Sequence, residues 1–159
     1  MPVRFSVRTS PIHGRGVFAA VGLAADLRLL EYCGQRISVA EADLRYRDTV
    51  LAGHTYLFTL NQRYLIDGNS DGNSARWFNH SCAPNCVAQV YVNIDYLEHK
   101  DKVWISTLRA IAAGEELTFD YDIQIRGRHT LKLRQIWACR CGAPECTGSM
   151  LKAKARALR

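Results

Sequence analysis

The stretch from Arg76 to Cys86, RWFNHSCAPNC, concentrates reactive side chains behind two bulky aromatic residues. Within it, His80 is followed directly by Ser81 and Cys82. An imidazole next to a thiol can form a nucleophile with its base, because the thiolate that remains after proton transfer attacks electrophiles. The same side chains can bind a metal ion, or they can form a polar turn. These residues alone leave the three interpretations open.

A second group of cysteines lies near the C-terminus in the segment CRCGAPECTG. Its members, Cys139, Cys141 and Cys146, follow a C-x-C-x4-C spacing. Zinc takes four thiolate or imidazole ligands in a tetrahedron, and short cysteine spacings let one loop supply several of them. The spacing therefore predicts a structural zinc site that needs a fourth ligand. The candidates are any histidine and the cysteines outside this segment, Cys33, Cys82 and Cys86.

The composition is that of one globular domain. The chain has 159 residues, of which 48% are hydrophobic and 23% are charged, so it can bury a sizeable core. No apolar run reaches the roughly 18 residues of a membrane helix, and residues 1–20 show no secretory signal. We therefore expect a protein that is not bound to membranes. Its six cysteines do not indicate a disulfide framework, and the crowding of Cys139, Cys141 and Cys146 into eight residues favours a metal.

The charge is distributed unevenly along the chain. The formal net charge is +6, and nine lysines and arginines against one acid follow Asp122, so that segment carries +8 and residues 1–122 carry −2. A basic segment suits an anionic surface, such as nucleic acid or an acidic protein. Better solubility is the alternative explanation.

Many short segments with strand periodicity predict the elements that position these residues. Val3, Phe5 and Val7 alternate with polar residues, and such a period of two is typical of a strand. Ser38 with Glu41 forms a capping box that opens a helix through about residue 47. A second, short helix is predicted in LKLRQIWA, and further strands in LRLLEYCG, TYLFTL, RYLID, CVAQVYVN, KVWISTL and GEELTFDY. The predicted fold class is mostly β with few short helices.

The motifs gain meaning from their order, which is IHGRGVFA, LEYCGQRI, YLFTL, GNSARWFNHSCAPNC, GEELTFDYD and CRCGAPECTG. In this order the chain resembles the SET-domain protein lysine methyltransferases with a cysteine-rich post-SET segment. The resemblance implies a SET domain at residues 4–122, a post-SET segment at 123–149 and a short basic tail at 150–159. It also implies a fold of small curved β-sheets with a knot-like segment.

The resemblance further implies a reaction and a set of site residues. Members of this family transfer a methyl group from S-adenosylmethionine to a lysine amine of a protein substrate. Tyr121 matches the catalytic tyrosine, Tyr56 and Phe119 match walls of the lysine channel, and Cys82 matches the fourth ligand of one structural zinc. The remaining matched positions belong to the cofactor pocket, which also includes Tyr121: His13, Gly14, Arg15, Gly16, Val17, Phe18, Arg76, Asn79 and His80.

The implied chemistry requires a neutral amine. A lysine with a pKa near 10.4 is neutral in about one molecule in 2,500 at pH 7, a deficit of about 4.6 kcal/mol. An apolar channel and an adjacent sulfonium cation both lower that pKa, so Tyr121 is expected to orient the amine rather than to act as a strong base. Phe119 occupies a position where a tyrosine hydroxyl restricts methylated amines, so the resemblance implies di- or trimethylation.

Two other functions are compatible with the sequence. One is a catalytically inactive SET-like domain that serves as a zinc-stabilised binding module, and the other is a basic zinc protein that binds nucleic acid. The intact Tyr121, Asn79 and His80 favour the enzyme. The expected substrate is a histone or another basic protein. The expected location is the cytoplasm for a compact bacterial-type domain, and the nucleus for a eukaryotic or host-directed one.

Overall fold

The computed structural model describes residues 4–153, and within them the chain is built mainly from short β-strands. The strands are β1 Phe5–Thr9, β2 Arg15–Ala19, β3 Arg28–Glu31, β4 Gln35–Ser38, β5 Leu57–Thr59, β6 Tyr64–Asp67, β7 Asn79–His80, β8 Cys86–Tyr91, β9 Lys102–Thr107 and β10 Glu116–Phe119. The helices are α1 Val39–Arg45, α2 Thr49–Ala52 and α3 Leu131–Ile136, with 3-10 turns at Ser74–Trp77 and Glu98–Lys100. The predicted mostly-β class with few short helices is confirmed.

The strands form three small sheets, with orders β1-β2-β10-β7, β3-β9-β8 and β4-β6-β5. Neighbours pair antiparallel except β10 and β7, which run parallel with Thr118 opposite Asn79 and Phe119 opposite His80. This parallel pair joins the two motifs RWFNHSC and GEELTFDY, which lie about forty residues apart in the sequence. The position of the candidate site follows from this pairing.

The local signals place the helices close to where the sequence predicts them. The Ser38 side chain accepts a hydrogen bond from the Glu41 backbone N–H at 3.1 Å, as expected for an N-cap. Helix α1 ends at Arg45, two residues before the predicted boundary. The short helix predicted in LKLRQIWA is α3, and the Thr130 side chain caps it by accepting from the Leu133 N–H at 3.1 Å.

The hydrophobic core lies where the three sheets meet. Val17 and Leu117 come from the first sheet, Ile105 from the second and Ile66 from the third, and Phe78 fills the space beside them. All five have at most 1% of their surface exposed. Burial of each such side chain stabilises the fold by about 1.5–3 kcal/mol, so the core fixes the sheets relative to one another.

Parts of the predictions for both termini fall outside the described residues. These are Val3 of the first strand and Lys154, Arg156 and Arg159 of the basic tail. Just before that limit, Leu151 is buried and pairs with Ile123 in an isolated parallel bridge. Among residues 4–153, no helix has the length and apolar character to cross a bilayer.

Candidate active site

A cavity of about 460 Å3 lies at the junction of four chain segments. Its wall includes residues 12–15, 52–56, 76–77, 79–80 and 135–140, so segments from both halves of the chain face one another across it. Seven of the residues predicted for the cofactor pocket line this cavity: His13, Gly14, Arg15, Arg76, Asn79, His80 and Tyr121. The volume lies within the range of small-molecule sites.

Three other residues predicted for the cofactor pocket lie behind this cavity rather than in its wall. Gly16, Val17 and Phe18 are buried within β2, and Val17 belongs to the hydrophobic core. The Phe18 ring packs against the Arg8 guanidinium at 4.0 Å. Alternating side chains of a strand point to opposite faces, but this strand is covered on both, so its side chains serve the core.

The loop at the cavity mouth is fixed by backbone and side-chain hydrogen bonds. Gly14 has a φ of 45°, a conformation that suits glycine because it lacks a Cβ. The Asn79 side-chain N–H2 donates to the carbonyl oxygens of His13 at 3.2 Å and Arg15 at 3.0 Å. Asn79 therefore shapes the loop that forms one side of the cavity.

Aromatic rings and guanidinium groups form one wall of the cavity. The Trp77 ring lies 5.1 Å from the Arg15 guanidinium and 4.6 Å from that of Arg76, and the Tyr56 ring meets it edge-on at 5.3 Å. The His54 ring packs on Tyr56 at 4.3 Å, and burial lowers the pKa of His54. This wall offers positive charge together with flat apolar surfaces, which suits a ligand carrying both an anionic group and a ring system.

Arg76 lines the cavity and has one side-chain nitrogen that finds no acceptor among the described residues. Its Nη1 donates to the Gly68 carbonyl at 3.1 Å. Its Nε is buried, and no hydrogen-bond acceptor reaches it within the described part of the chain. A buried donor without a partner costs free energy, so this nitrogen favours a ligand that brings an acceptor.

A second, smaller cavity of about 40 Å3 adjoins the first, and its lining is mostly aromatic and aliphatic. The residues that line it are Tyr32, Thr55, Leu57, Phe58, Arg76, Phe78, Phe119, Tyr121 and Ile123. Thr55, Arg76 and Tyr121 line both cavities. The shared lining places the small cavity, called the channel below, beside the large cavity at Tyr121.

Most of the residues around this channel were not predicted from the sequence. Tyr32, Phe58 and Ile123 line it, whereas Tyr56, which was assigned to it, lines the larger cavity. The backbone carbonyl of Tyr56 accepts a hydrogen bond from the Tyr32 hydroxyl at 2.8 Å. Tyr32 lies in the motif LEYCGQRI, so its presence in a motif was the available signal. Phe119, which was also assigned to the lysine channel, lines the small cavity.

Tyr121 is held by contacts at both ends of its side chain. Its hydroxyl donates to the Phe78 carbonyl at 2.6 Å, and its backbone N–H donates to His80 Nδ1 at 3.1 Å. Burial raises the pKa of Tyr121 far above its usual value, because an anion is poorly solvated there. Tyr121 therefore remains protonated and acts as a hydrogen-bond donor.

The geometry around His80 excludes the Cys–His nucleophile. Because His80 Nδ1 accepts the Tyr121 N–H, the proton of the neutral ring is on Nε2, which lies 3.7 Å from Cys82 Sγ. Burial lowers the pKa of His80, so the neutral form is favoured. A base for Cys82 needs a free acceptor nitrogen directed at the sulfur, and this tautomer presents a donor instead.

Cys82 lies instead in a cluster with the three post-SET cysteines. Its Sγ lies 3.8 Å from that of Cys139 and 3.9 Å from that of Cys146, and with Cys141 all four ligand atoms lie within 4.8 Å of one another. A tetrahedron with Zn–S bonds of about 2.3 Å has edges of about 3.8 Å. The arrangement fits a tetrahedral ion of that size.

The other two cysteines are outside this cluster. The Sγ of Cys33 lies 3.7 Å from the Glu31 carbonyl oxygen. Cys86 is 1% exposed, and burial raises the pKa of its thiol to about 12. Of the three candidate cysteines for the fourth position, the fold brings Cys82 to the cluster.

Comparison with known proteins gives matches over most of the chain. The model of the family described as SET domain matches residues 14–122. Histone-lysine N-methyltransferase SETD1 of Drosophila melanogaster is 36% identical over 143 residues, which are 89% of this chain and 8% of that protein. Histone-lysine N-methyltransferase SETD1A of Homo sapiens is also 36% identical over 143 residues, which are 89% of this chain and 8% of that protein.

A fungal relative gives a similar match. The Saccharomyces cerevisiae protein named histone-lysine N-methyltransferase, H3 lysine-4 specific, is 36% identical over 149 residues, which are 92% of this chain and 13% of that protein. The chain thus spans about a tenth of the length of these relatives. Because the family model matches more than half of the chain, and relatives 36% identical match about nine-tenths of it, the chain belongs to the SET-domain family.

Proposed function

We propose that this domain is a protein-lysine N-methyltransferase that takes its methyl group from S-adenosylmethionine. The observation that carries the proposal is the meeting of two cavities at Tyr121, one large with a cationic and aromatic wall, the other narrow and mostly apolar. Methyl transfer joins a bulky charged methyl donor and a long, thin lysine side chain. It therefore requires a large cavity and a narrow one that meet at the reacting atoms. The names of the relatives, which are histone-lysine N-methyltransferases, agree with it.

The larger cavity fits S-adenosylmethionine in its volume and in its donors. The Arg15 guanidinium and that of Arg76, whose Nε has no acceptor within residues 4–153, suit the carboxylate of the methionyl part. The Trp77 and Tyr56 rings suit its flat or cationic parts. When bound, this group supplies a methyl carbon activated by the sulfonium to which it is attached.

The residues of the channel prepare the amine. Phe58, Phe119 and Tyr32 surround it with rings, so a lysine that enters loses water and its pKa falls. This supplies part of the deficit of about 4.6 kcal/mol that a neutral amine faces at pH 7. Tyr121 and the Phe78 carbonyl, joined at 2.6 Å, then direct the amine toward the large cavity, and alignment of this kind contributes most of the rate.

We also propose one structural zinc ion held by Cys82, Cys139, Cys141 and Cys146. The support is the tetrahedral spacing of the sulfurs. Trp137, Ala138, Cys139 and Arg140 line the large cavity, so the ion ties this wall to the segment that contains Asn79 and His80. The role of the metal is to close the cofactor pocket, not to take part in the transfer.

Phe119 supports a proposal on the number of methyl groups added. Its ring lines the channel and lies 5.1 Å from the Tyr121 ring and 6.3 Å from that of Phe78. Phenylalanine brings no hydroxyl that binds a water or a methylated amine in place. The product is therefore expected to carry two or three methyl groups.

The substrate class follows from the relatives and from the charge. We propose a lysine of a histone or of another basic protein, reached in the nucleus of a eukaryotic cell or in a bacterial cytoplasm. The post-SET segment adds exposed cations that attract nucleic acid weakly through charge alone: Arg126, Arg128, Lys132, Arg134 and Arg140. Such attraction is expected to disappear by about 0.2 M salt, because it depends on the release of counterions.

The proposal is tested by measuring cofactor binding and methyl transfer separately. Calorimetry with S-adenosylmethionine on the zinc-loaded domain is expected to give saturable binding. Transfer of labelled methyl to histones and to whole-cell protein is expected with wild type and strongly reduced with Tyr121→Phe. Binding without transfer to any protein would identify an inactive binding module instead, and equal labelling by both proteins would refute the role of Tyr121.

A further inference from the structure

Glu116, the first residue of β10, joins two segments that form one side of the large cavity. The Ser10 hydroxyl donates to its carboxylate at 2.8 and 2.9 Å, and the Asn79 side-chain N–H2 donates to Glu116 Oε1 at 2.8 Å. Glu116 is half-buried, and it is absent from the linings of both cavities. No role for it was predicted from the sequence.

Both partners of this carboxylate also hold the loop of residues 10–15. The Ser10 hydroxyl accepts the Ile12 N–H at 2.9 Å, and the Ser10 N–H donates to the Gly14 carbonyl at 2.9 Å. Asn79 donates to the carbonyls of His13 and Arg15. The carboxylate therefore fixes Ser10, at the start of the loop, and Asn79, which contacts the end of the loop.

The approach of the carboxylate explains why residue 16 is glycine. A Cβ placed on Gly16 would collide with Glu116 Oε1 and crowd the Ser10 Cβ. The register of β2 and β10, with Leu117 opposite Val17 and Glu116 opposite Phe18, brings the two strands together at this point. Gly16 thus contributes to the cavity indirectly, because its missing side chain leaves room for the carboxylate.

We propose that Glu116 is a positioning residue whose carboxylate holds the loop of residues 10–15 in the shape that binds S-adenosylmethionine. It acts through Ser10 and Asn79 and does not touch the reacting atoms. This inference rests on the proposed function. A carboxylate suits this place because both of its oxygens only accept, with the Ser10 hydroxyl near each of them and the Asn79 N–H2 near Oε1, and because its charge strengthens these hydrogen bonds relative to those of an amide.

The chain supplies a matched control in the preceding residue. Glu115 carries the same side chain, but its carboxylate accepts from Arg109 Nη2 at 2.8 Å and from the Ala112 N–H at 2.7 Å. These partners lie in the connection before β10, away from the loop. Glu116→Gln and Glu115→Gln therefore remove the same charge in neighbouring positions with different contacts.

The experiment compares these two variants with wild type in the zinc-loaded domain. Calorimetry gives the dissociation constant of S-adenosylmethionine, and steady-state assays give KM for it and kcat. We expect Glu116→Gln to raise both the dissociation constant and KM by about 10- to 100-fold, since charge-assisted hydrogen bonds are lost. We expect kcat at saturation to fall less than about threefold, and Glu115→Gln to shift binding less than about twofold.

The outcomes separate this inference from the function on which it rests. If wild type binds S-adenosylmethionine and Glu116→Gln binds it equally well, the role of Glu116 is wrong while the proposed function stands. Equal loss in both variants, or a fall in kcat with KM unchanged, also contradicts positioning of the loop. If wild type itself does not bind, the proposed function fails and this role fails with it.

A second variant keeps the test decisive if Glu116→Gln does not fold. Ser10→Ala removes one of the two donors to the carboxylate and leaves Asn79 in place. It is expected to weaken S-adenosylmethionine binding at least about fivefold, and an unchanged dissociation constant would overturn the inference. Where both variants fold, the double variant should lose less than the product of the single effects, because both changes break the same hydrogen bonds.

Discussion

Replacement of Tyr121 by Phe separates two roles that a tyrosine plays in such a site, base and hydrogen-bond donor. The change removes a hydroxyl that donates to the Phe78 carbonyl at 2.6 Å and leaves the ring, which lies 5.1 Å from Phe119 and 5.4 Å from His80. Burial raises the pKa of Tyr121 far above its usual value. Throughout the working pH range the hydroxyl is therefore protonated, and its loss removes a donor, not a base.

The magnitude follows from the contact that is lost. A buried carbonyl without its donor costs about 1–3 kcal/mol, and if that cost falls on the transition state, kcat/KM for the lysine substrate falls about 5- to 150-fold. Deprotonation of the amine at pH 7 costs more, about 4.6 kcal/mol, but this cost lies on the substrate and is the same in both proteins. The loss should therefore be the same factor at every pH.

The assay is methyl transfer to a histone peptide between pH 6.5 and 9.5, with cofactor affinity measured by calorimetry at each pH because Tyr121 also lines the larger cavity. Wild type should show activity that rises with pH as the amine loses its proton, and Tyr121→Phe should give a parallel, lower curve. Disappearance or displacement of the rising limb in the variant would refute the reasoning, since it would assign that limb to Tyr121.

Three further predictions concern the product, the metal and the response to alkaline pH. Phe119→Tyr adds a hydroxyl to a channel of about 40 Å3, so mass spectrometry should show a shift toward monomethyl product, whereas an unchanged product distribution would count against Phe119 as the limiting group. Cys82→Ser should release zinc and abolish S-adenosylmethionine binding. The control Cys33→Ser, which lies outside the cluster, should keep both. Elemental analysis measures the zinc content of each variant, and calorimetry measures its affinity for S-adenosylmethionine. Burial also raises the pKa of Tyr32, so the unfolded chain releases this proton first, and stability that is complete below about pH 10 is lost as the pH rises above it. From pH 9 to pH 11, urea unfolding should show a total loss of about 1.4 kcal/mol from Tyr32, because the tyrosine of the unfolded chain titrates near pH 10 within this interval. Tyr32→Phe should therefore lose less stability over the same interval than wild type.

Local features of the fold followed from the sequence because their causes are local. The Ser38 cap and the strand character of short alternating segments depend on residues within one or two turns of chain. The C-x-C-x4-C spacing likewise identified three members of the cysteine cluster, since one loop holds them. The motif order identified the family, and residues 14–122 match its model.

Other features were decided by contacts between distant segments. The cysteine spacing alone cannot say which of Cys33, Cys82 and Cys86 reaches a cluster more than fifty residues away. The family resemblance implied Cys82, and the fold brings its Sγ to within 3.9 Å of those of Cys139 and Cys146. The channel is similar: Tyr32 and Ile123 meet there from opposite parts of the chain. The alternation of polar and apolar residues predicts on which face of a strand a side chain lies. It does not predict which other sheet packs against that face.

The sequence by itself determined the family, the mostly-β class, the three post-SET cysteines and the chemical groups available to the site. The tertiary structure decided how these groups are used. It turned His80 from a base for Cys82 into an acceptor for the Tyr121 N–H, and it joined the Tyr121 hydroxyl to the Phe78 carbonyl. It also placed the Glu116 carboxylate between Ser10 and Asn79. Hydrogen bonds of this kind depend on distances and directions set by three packed sheets, and no spacing along the chain encodes them.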